Sequence, residues 1–361
     1  MKPTLKIILA LSIVLIGLPP MISAQIKDIG TLLSTGPADG EKLLEAYISP
    51  YLNAFGASMT GGWYNSAKPH KLGGFDLTAT FNVAITPSSV KTFNVDGLGL
   101  ADIKRATGTE TTSPTIAGST SVGPQMQYNL EGYTADAYKL PKGTGNKYVP
   151  SPMLQLGVGL VKGTEIIGRF MPTYSYDGNK IGMWGIGIKH SISQWIPVLK
   201  KLPVLNISVV AGYTKLNSNL DLLVTPSEIN ASTLPVDNGI TAHTWENQQM
   251  KLDASSFTGN LVISANLPVI CFYGGIGFAT TKTYLKMEGN YPWVKLDAAN
   301  LPMVYSQNNP IDIKVKNQDG GITKARYNLG MRLKLAIITI HFDYTRANYN
   351  VLTAGLGISF R

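Results

Sequence analysis

Cysteine is almost absent: Cys271 stands alone among 361 residues, which excludes an intramolecular disulfide framework. Histidine is scarce, at His70, His190, His243 and His341, and none lies in HExxH or at the spacing of a helical metal site. Neither a GxSxG elbow nor a phosphate loop is present. No catalytic residue, metal or cofactor is expected. Charged residues are only 15% of the chain and form no dense basic run, so the net charge of +9 does not build a nucleic-acid surface. Long apolar runs are also missing. One short run, Ile7 to Leu18, follows Lys2 and Lys6 and precedes Pro19, Pro20 and the small residues of Ile22-Ser23-Ala24. That order is a secretory signal peptide over 1–24, with cleavage expected after Ala24. The run falls short of the roughly 20 residues a membrane-spanning helix needs.

What is plentiful is alternation. In the last strand, Leu352, Ala354, Leu356, Ile358 and Phe360 form one apolar face, opposite Val351, Thr353, Gly355, Gly357 and Ser359. Side chains alternate with period two in a strand, so the two sets face opposite sides. A terminal strand with an aromatic next to last resembles the closing strand of Gram-negative outer-membrane barrels. Gly73 to Ile85 repeats the pattern, with Phe75, Leu77, Ala79, Phe81 and Val83 on one side and Asp76, Thr78, Thr80 and Asn82 on the other. Its length suits a tilted transmembrane strand of about 9–11 residues. Further copies run through 153–161, 164–176, 181–191, 204–216, 252–266, 270–283, 323–334 and 338–345. Ser58–Asn65 and Val90–Val95 bring the expectation to about twelve strands, and a hairpin hidden in 96–150 would make fourteen. The expected fold is all-β, an antiparallel up-and-down transmembrane β-barrel occupying 58–361.

The connections sort into two sets. Short ones fall at Pro87-Ser88-Ser89, Lys162-Gly163, around Pro268 and at 335–337, with Gln194 to Pro203 somewhat longer. Long ones fall at 96–150, 217–249 and 285–322, rich in Gly, Ser, Thr, Asn and Pro. Short periplasmic turns with long external loops are the asymmetry of bacterial outer-membrane barrels. Ahead of the strands, 25–57 forms a short helical segment. Leu44, Tyr47, Ile48, Tyr51 and Phe55 recur at helical spacing, Asp39 is placed to cap the first turn, and Pro50 is expected to end or kink the helix. This stripe either closes the barrel base or plugs the lumen.

Alternation also sorts the charges. Glu165, Arg169, Lys189, Arg326, Arg332, Lys334, His341 and Asp343 are expected to face the lumen, as ion pairs filling it or as a basic constriction. The inward glycines Gly157, Gly159, Gly185, Gly187, Gly275 and Gly277 leave room beside them or relieve strain in coiled strands. Trp63, Tyr64, Tyr174, Tyr176, Trp184, Tyr213 and Tyr344 read as interface belts. Trp245 and Trp293 suggest a sugar platform on the external loops.

The stretches GGWYNSAKPHKLGGFDLT (61–78), MWGIGIKHSISQWIP (183–197) and AGYTKLNS (211–218) resemble an uncharacterised family of exported Gram-negative outer-membrane β-barrel proteins. The helix ahead of the strands is similar, in architecture only, to long-chain fatty-acid transporter-like barrels, which usually have fourteen strands. The resemblance implies the outer membrane as location, its lipid and insertion machinery as partners, and no assigned chemistry. The expected function is a channel or transporter for small hydrophobic or anionic solutes. The alternative is a non-transporting structural or partner-binding barrel. A remote third is an interfacial lipid hydrolase built on His341, for which no serine motif follows.

Overall fold

A computed structural model describes residues 30–360, except 34, 131–132, 177–178, 228, 230, 300 and 317–324. The signal peptide and its cleavage point at Ala24 lie outside these residues. Ten long strands close into a ring. They are β1 (Phe75–Ile85), β2 (Tyr148–Gly159), β3 (Thr164–Tyr176), β4 (Asn179–Ser191) and β5 (Leu205–Leu222), followed by β6 (Gln248–Asn266), β7 (Ile270–Glu288), β8 (Ala325–Leu335), β9 (Ile338–Arg346) and β10 (Asn350–Phe360). Every strand pairs antiparallel with its sequence neighbours. The ring closes because β1 pairs with both β2 and β10, Phe75 standing opposite Val158 on one side and Phe360 on the other. Closure satisfies every edge, which lets a sheet cross a membrane. An eleventh strand, Ile311–Lys316, pairs with the upper part of β7 outside the ring.

The count of ten corrects the expected twelve or fourteen. Ser58–Asn65 is not a strand: the helix before it ends at Ser58, and Gly61 and Gly62 (φ 70°) turn the chain into an irregular path. Val90–Val95 contributes only Thr92–Asn94, which pairs with Thr112–Pro114. Pro87-Ser88-Ser89 therefore opens an external loop and is no periplasmic turn. The sheet within 96–150 (Ile103–Arg105, Gln125–Leu130, Tyr133–Lys139) stands apart from the barrel. Much of the remaining loop length is strand as well. β5 and β6 stay paired up to Leu222 and Gln248, and 290–308 is a hairpin.

Facing follows the alternation. Along β6, Leu261 is 43% exposed on the outer wall while Asn260 is 6% exposed within. Trp184, Tyr213 and Tyr344 are exposed outside. Trp63 and Tyr64 are not: both are buried inside the ring, which corrects their place in a belt.

The helix α1 (Pro37–Ser58) runs through Pro50. Its stripe divides in two. Leu43, Leu44, Tyr47, Ile48 and Leu52 are buried against Ile103, Met126, Leu140, Leu285 and Ile313, all from external segments. Phe55 packs lower, beside Met59, Met153, Met183 and Leu216. Asp39 makes no cap. Its buried carboxylate accepts the N–H groups of Ala101, Asp102 and Ile103 at 2.7–3.2 Å and fastens an external loop to the helix. The helix and loops thus form a cap over the barrel mouth with its own apolar core. Among the described residues no helix is long and apolar enough to cross a membrane.

Candidate functional site

Below the cap the chain enters the barrel. Residues 59–71 descend the whole lumen before Gly73 and Gly74 hand over to β1 at the opposite rim. Irregular backbone at membrane depth needs partners for its polar groups, because no lipid atom can supply them. The inner wall supplies them. Arg169 donates to the Met59 carbonyl at 3.0 Å and to Gln155 at 2.8 Å. Arg326 donates to the Thr60 carbonyl at 3.0 Å and to Thr258 at 3.2 Å. Arg332 donates to the Asn65 side-chain oxygen at 2.9 Å. Lower down, the Ala67 amide donates to Ser264 at 3.1 Å and its carbonyl accepts from the Ser208 hydroxyl.

The side chains of this segment fill the remaining space. The Arg169 guanidinium lies 3.5 Å from the centre of the Trp63 ring, which is 2% exposed. Trp63 rests on Gly187 and Gly212, and a β-carbon added at Gly187 would stand 2.5 Å from the ring. Tyr64 meets Tyr273 edge-on at 6.0 Å and lies over Gly275. Gly159 faces the His70 and Lys71 carbonyls in the same way. Several inward glycines are therefore seats for the lumen segment.

At the far rim, Glu165 binds Lys189 Nζ at 2.9 Å through one oxygen. Its other oxygen accepts the His70 amide at 2.9 Å and meets Nδ1 of the same residue at 2.9 Å, while the far ring nitrogen meets Ser359 at 3.1 Å. His70, Asp76 and Glu165 hold donor atoms within 4.8 Å of one another. A cation would have to displace the Lys189 ammonium to use them, so the geometry is that of a clasp between the segment and the wall.

The eight charged positions named from the sequence all lie on inward faces, but in separate groups. Glu165 and Lys189 form the clasp, and Arg169 and Arg326 hold the upper segment. Asp343 accepts from Tyr273 at 3.0 Å and from Asn328 at 2.8 Å. His341 is 1% exposed, lies over Gly355 and has no hydrogen-bond partner among the described residues. It faces away from lipid, where an interfacial hydrolase would need it. Arg332 and Lys334 are half-buried at the periplasmic mouth. Trp245 is buried, so the two tryptophans present no shared platform. Trp63, Tyr64, Asn65, Ala67 and His70 carry the interior and were not grouped together from the sequence. Their signal is the lack of any alternation between Met59 and Leu72, in a stretch holding Gly61-Gly62 and Pro69.

A closed antiparallel barrel with an apolar outer face, short turns at one end and long loops at the other is an outer-membrane β-barrel. The chain belongs to a family of unknown function (DUF6588), whose profile matches residues 1–360. No curated protein matches it. Among solved structures it is similar to the translocator domain of the autotransporter NalP from Neisseria meningitidis, at 9% identity and a TM-score of 0.30, covering 91% of this chain and 99% of that one. The outer membrane protein OprG from Pseudomonas aeruginosa gives 12% identity and a TM-score of 0.30, covering 81% and 98%. The Pseudomonas putida toluene transporter TodX gives 12% and 0.27, covering 80% and 67%. The barrel itself rests on the closed ladder of strands described above.

Proposed function

We propose that this protein is an outer-membrane barrel shut at rest by its own chain, holding a folded cap at the cell surface. Its partners are the surrounding lipid and the insertion machinery, and the reading assigns it no catalytic step. The filled lumen is the observation that carries this. In an open pore the inward residues of β6 would meet water, yet Ser256, Thr258, Asn260, Val262 and Ser264 are all buried. Two of the inward arginines are bonded to backbone carbonyls of the lumen segment rather than left free to select a solute. Planar-bilayer recordings test the reading: the full chain should stay near baseline. A steady open conductance would overturn it.

A second reading has one observation in its favour. The lumen segment is held by side chains and no strand ladder, so it can leave the lumen without breaking the barrel. In that case the protein is a gated conduit for small solutes, with residues 59–71 as the gate. A disulfide between Ala67→Cys and Ser208→Cys would separate the two. Solute flux that stops on oxidation and returns on reduction identifies a gate. Absence of flux in both states leaves the sealed barrel.

A further inference from the structure

At the periplasmic mouth the lumen segment leaves a concave space of about 480 Å³ between itself and the ends of β7, β8 and β10. Lys68 and Lys71 reach it from the segment, Arg332 and Lys334 from β8, with Asn266 and Ser359 between them. No carboxylate lines it. Among the described residues none of the four cations forms an ion pair. The Arg332 Nε is buried with no hydrogen-bond partner there, although another nitrogen of the same guanidinium holds Asn65. The nearest acids stand behind the lining. Glu165 is taken by Lys189 and His70, and Asp76 accepts from Thr78 at 3.3 Å.

Four cationic residues lining one hollow raise its positive potential, and an anion bound there would be attracted by all of them. The surrounding rim carries exposed apolar side chains, Leu267 and Val269 on the β6–β7 turn and Trp195 and Val198 before β5. Exposed apolar side chains at a barrel rim favour the edge of the bilayer, which would set the hollow near the depth of the inner-leaflet phosphates. We infer that this vestibule is a binding site for a phosphate-bearing anion, with Lys68, Lys71, Arg332 and Lys334 as its donors. Two sources share that chemistry, a phospholipid headgroup and a soluble phosphoester. The site stands whether or not the barrel conducts.

Calorimetry on the full chain in zwitterionic detergent tests it, with dihexanoyl phosphatidylglycerol and inorganic pyrophosphate as separate probes. One equivalent of at least one probe should bind, more tightly at low salt. Lys68→Gln and Lys334→Gln should each weaken binding about tenfold, the order of one charge-assisted hydrogen bond. Both variants keep the Asn65 contact, and heat-modifiable gel mobility confirms that they are folded. Lys104→Gln, on the external sheet, should change nothing. Binding of the lipid alone identifies a headgroup site, and binding of pyrophosphate identifies a soluble ligand. Failure of both probes to bind, or equal weakening in the Lys104 variant, overturns the proposal.

Discussion

Two tryptophans that look alike in the sequence should behave very differently when removed. Trp63 is 2% exposed, stacked beneath Arg169 and seated on Gly187 and Gly212. Trp184 is 52% exposed on the outer wall, with Tyr213 at 6.0 Å as its ring neighbour. Truncating a packed tryptophan to alanine costs about 3–5 kcal/mol. The desolvated guanidinium loses its ring face as well, which adds about 2 kcal/mol. The total for Trp63→Ala is then about 5–7 kcal/mol. Trp184→Ala loses only an aromatic pair, about 1 kcal/mol, because lipid refills the space. Unfolding from lipid vesicles in urea measures both. In planar bilayers Trp63→Ala should also raise conductance above the wild-type baseline, and Trp184→Ala should not. Equal destabilisation by the two variants, with neither leaking, would refute the placement of Trp63 in the lumen.

Three further outcomes follow from the same geometry. Glu165→Gln strands the buried Lys189 ammonium and should cost about 3–5 kcal/mol, whereas the double change with Lys189→Met should recover most of the loss in the same unfolding assay. Asp39→Ala removes the acceptor for three loop amides and should cost about 2–3 kcal/mol, seen as faster hydrogen exchange at Ala101, Asp102 and Ile103 with the barrel unchanged. Leu261→Arg carries a charge onto the lipid face and should destabilise by about 2–4 kcal/mol in vesicles, while Leu301→Arg, in an exposed external loop, should be nearly silent.

The barrel was legible because its constraint is local. Each membrane strand must be apolar on every second residue, so β1, β5, β6 and β10 announce themselves residue by residue. The inward set of charges follows from the same parity. Which partner each charge takes is a different matter. Arg169 and Arg326 end on carbonyls of Met59 and Thr60, contacts that span 110 and 266 residues of sequence and leave no periodic trace. Strand number failed at Ser58–Asn65 for a related reason. Trp63 and Tyr64 have the composition of a belt, and only the glycines at 187, 212 and 275, each on a distant strand, mark them as interior. The helix was readable from its stripe, but the stripe does not say what it meets. Leu44, Tyr47 and Ile48 find loop residues, because the external segments fold into a core of their own.

The path of the chain gives that arrangement a mechanical consequence. α1 is fixed at the outer end by Asp39 and by its apolar face, and the segment below it is fixed at the inner rim by the Glu165 clasp. Between these anchors the backbone runs unbranched through the lumen, held by three arginines and two serines of the wall. Loosening the cap alone leaves the lumen blocked, since Trp63 and Tyr64 are seated independently of Asp39. Loosening the clasp alone leaves the upper segment bonded to Arg169 and Arg326. Withdrawing the segment, as distinct from leakage past a truncated Trp63, thus requires both anchors and the wall contacts to release together. That cooperativity is what the proposed sealed resting state would draw on.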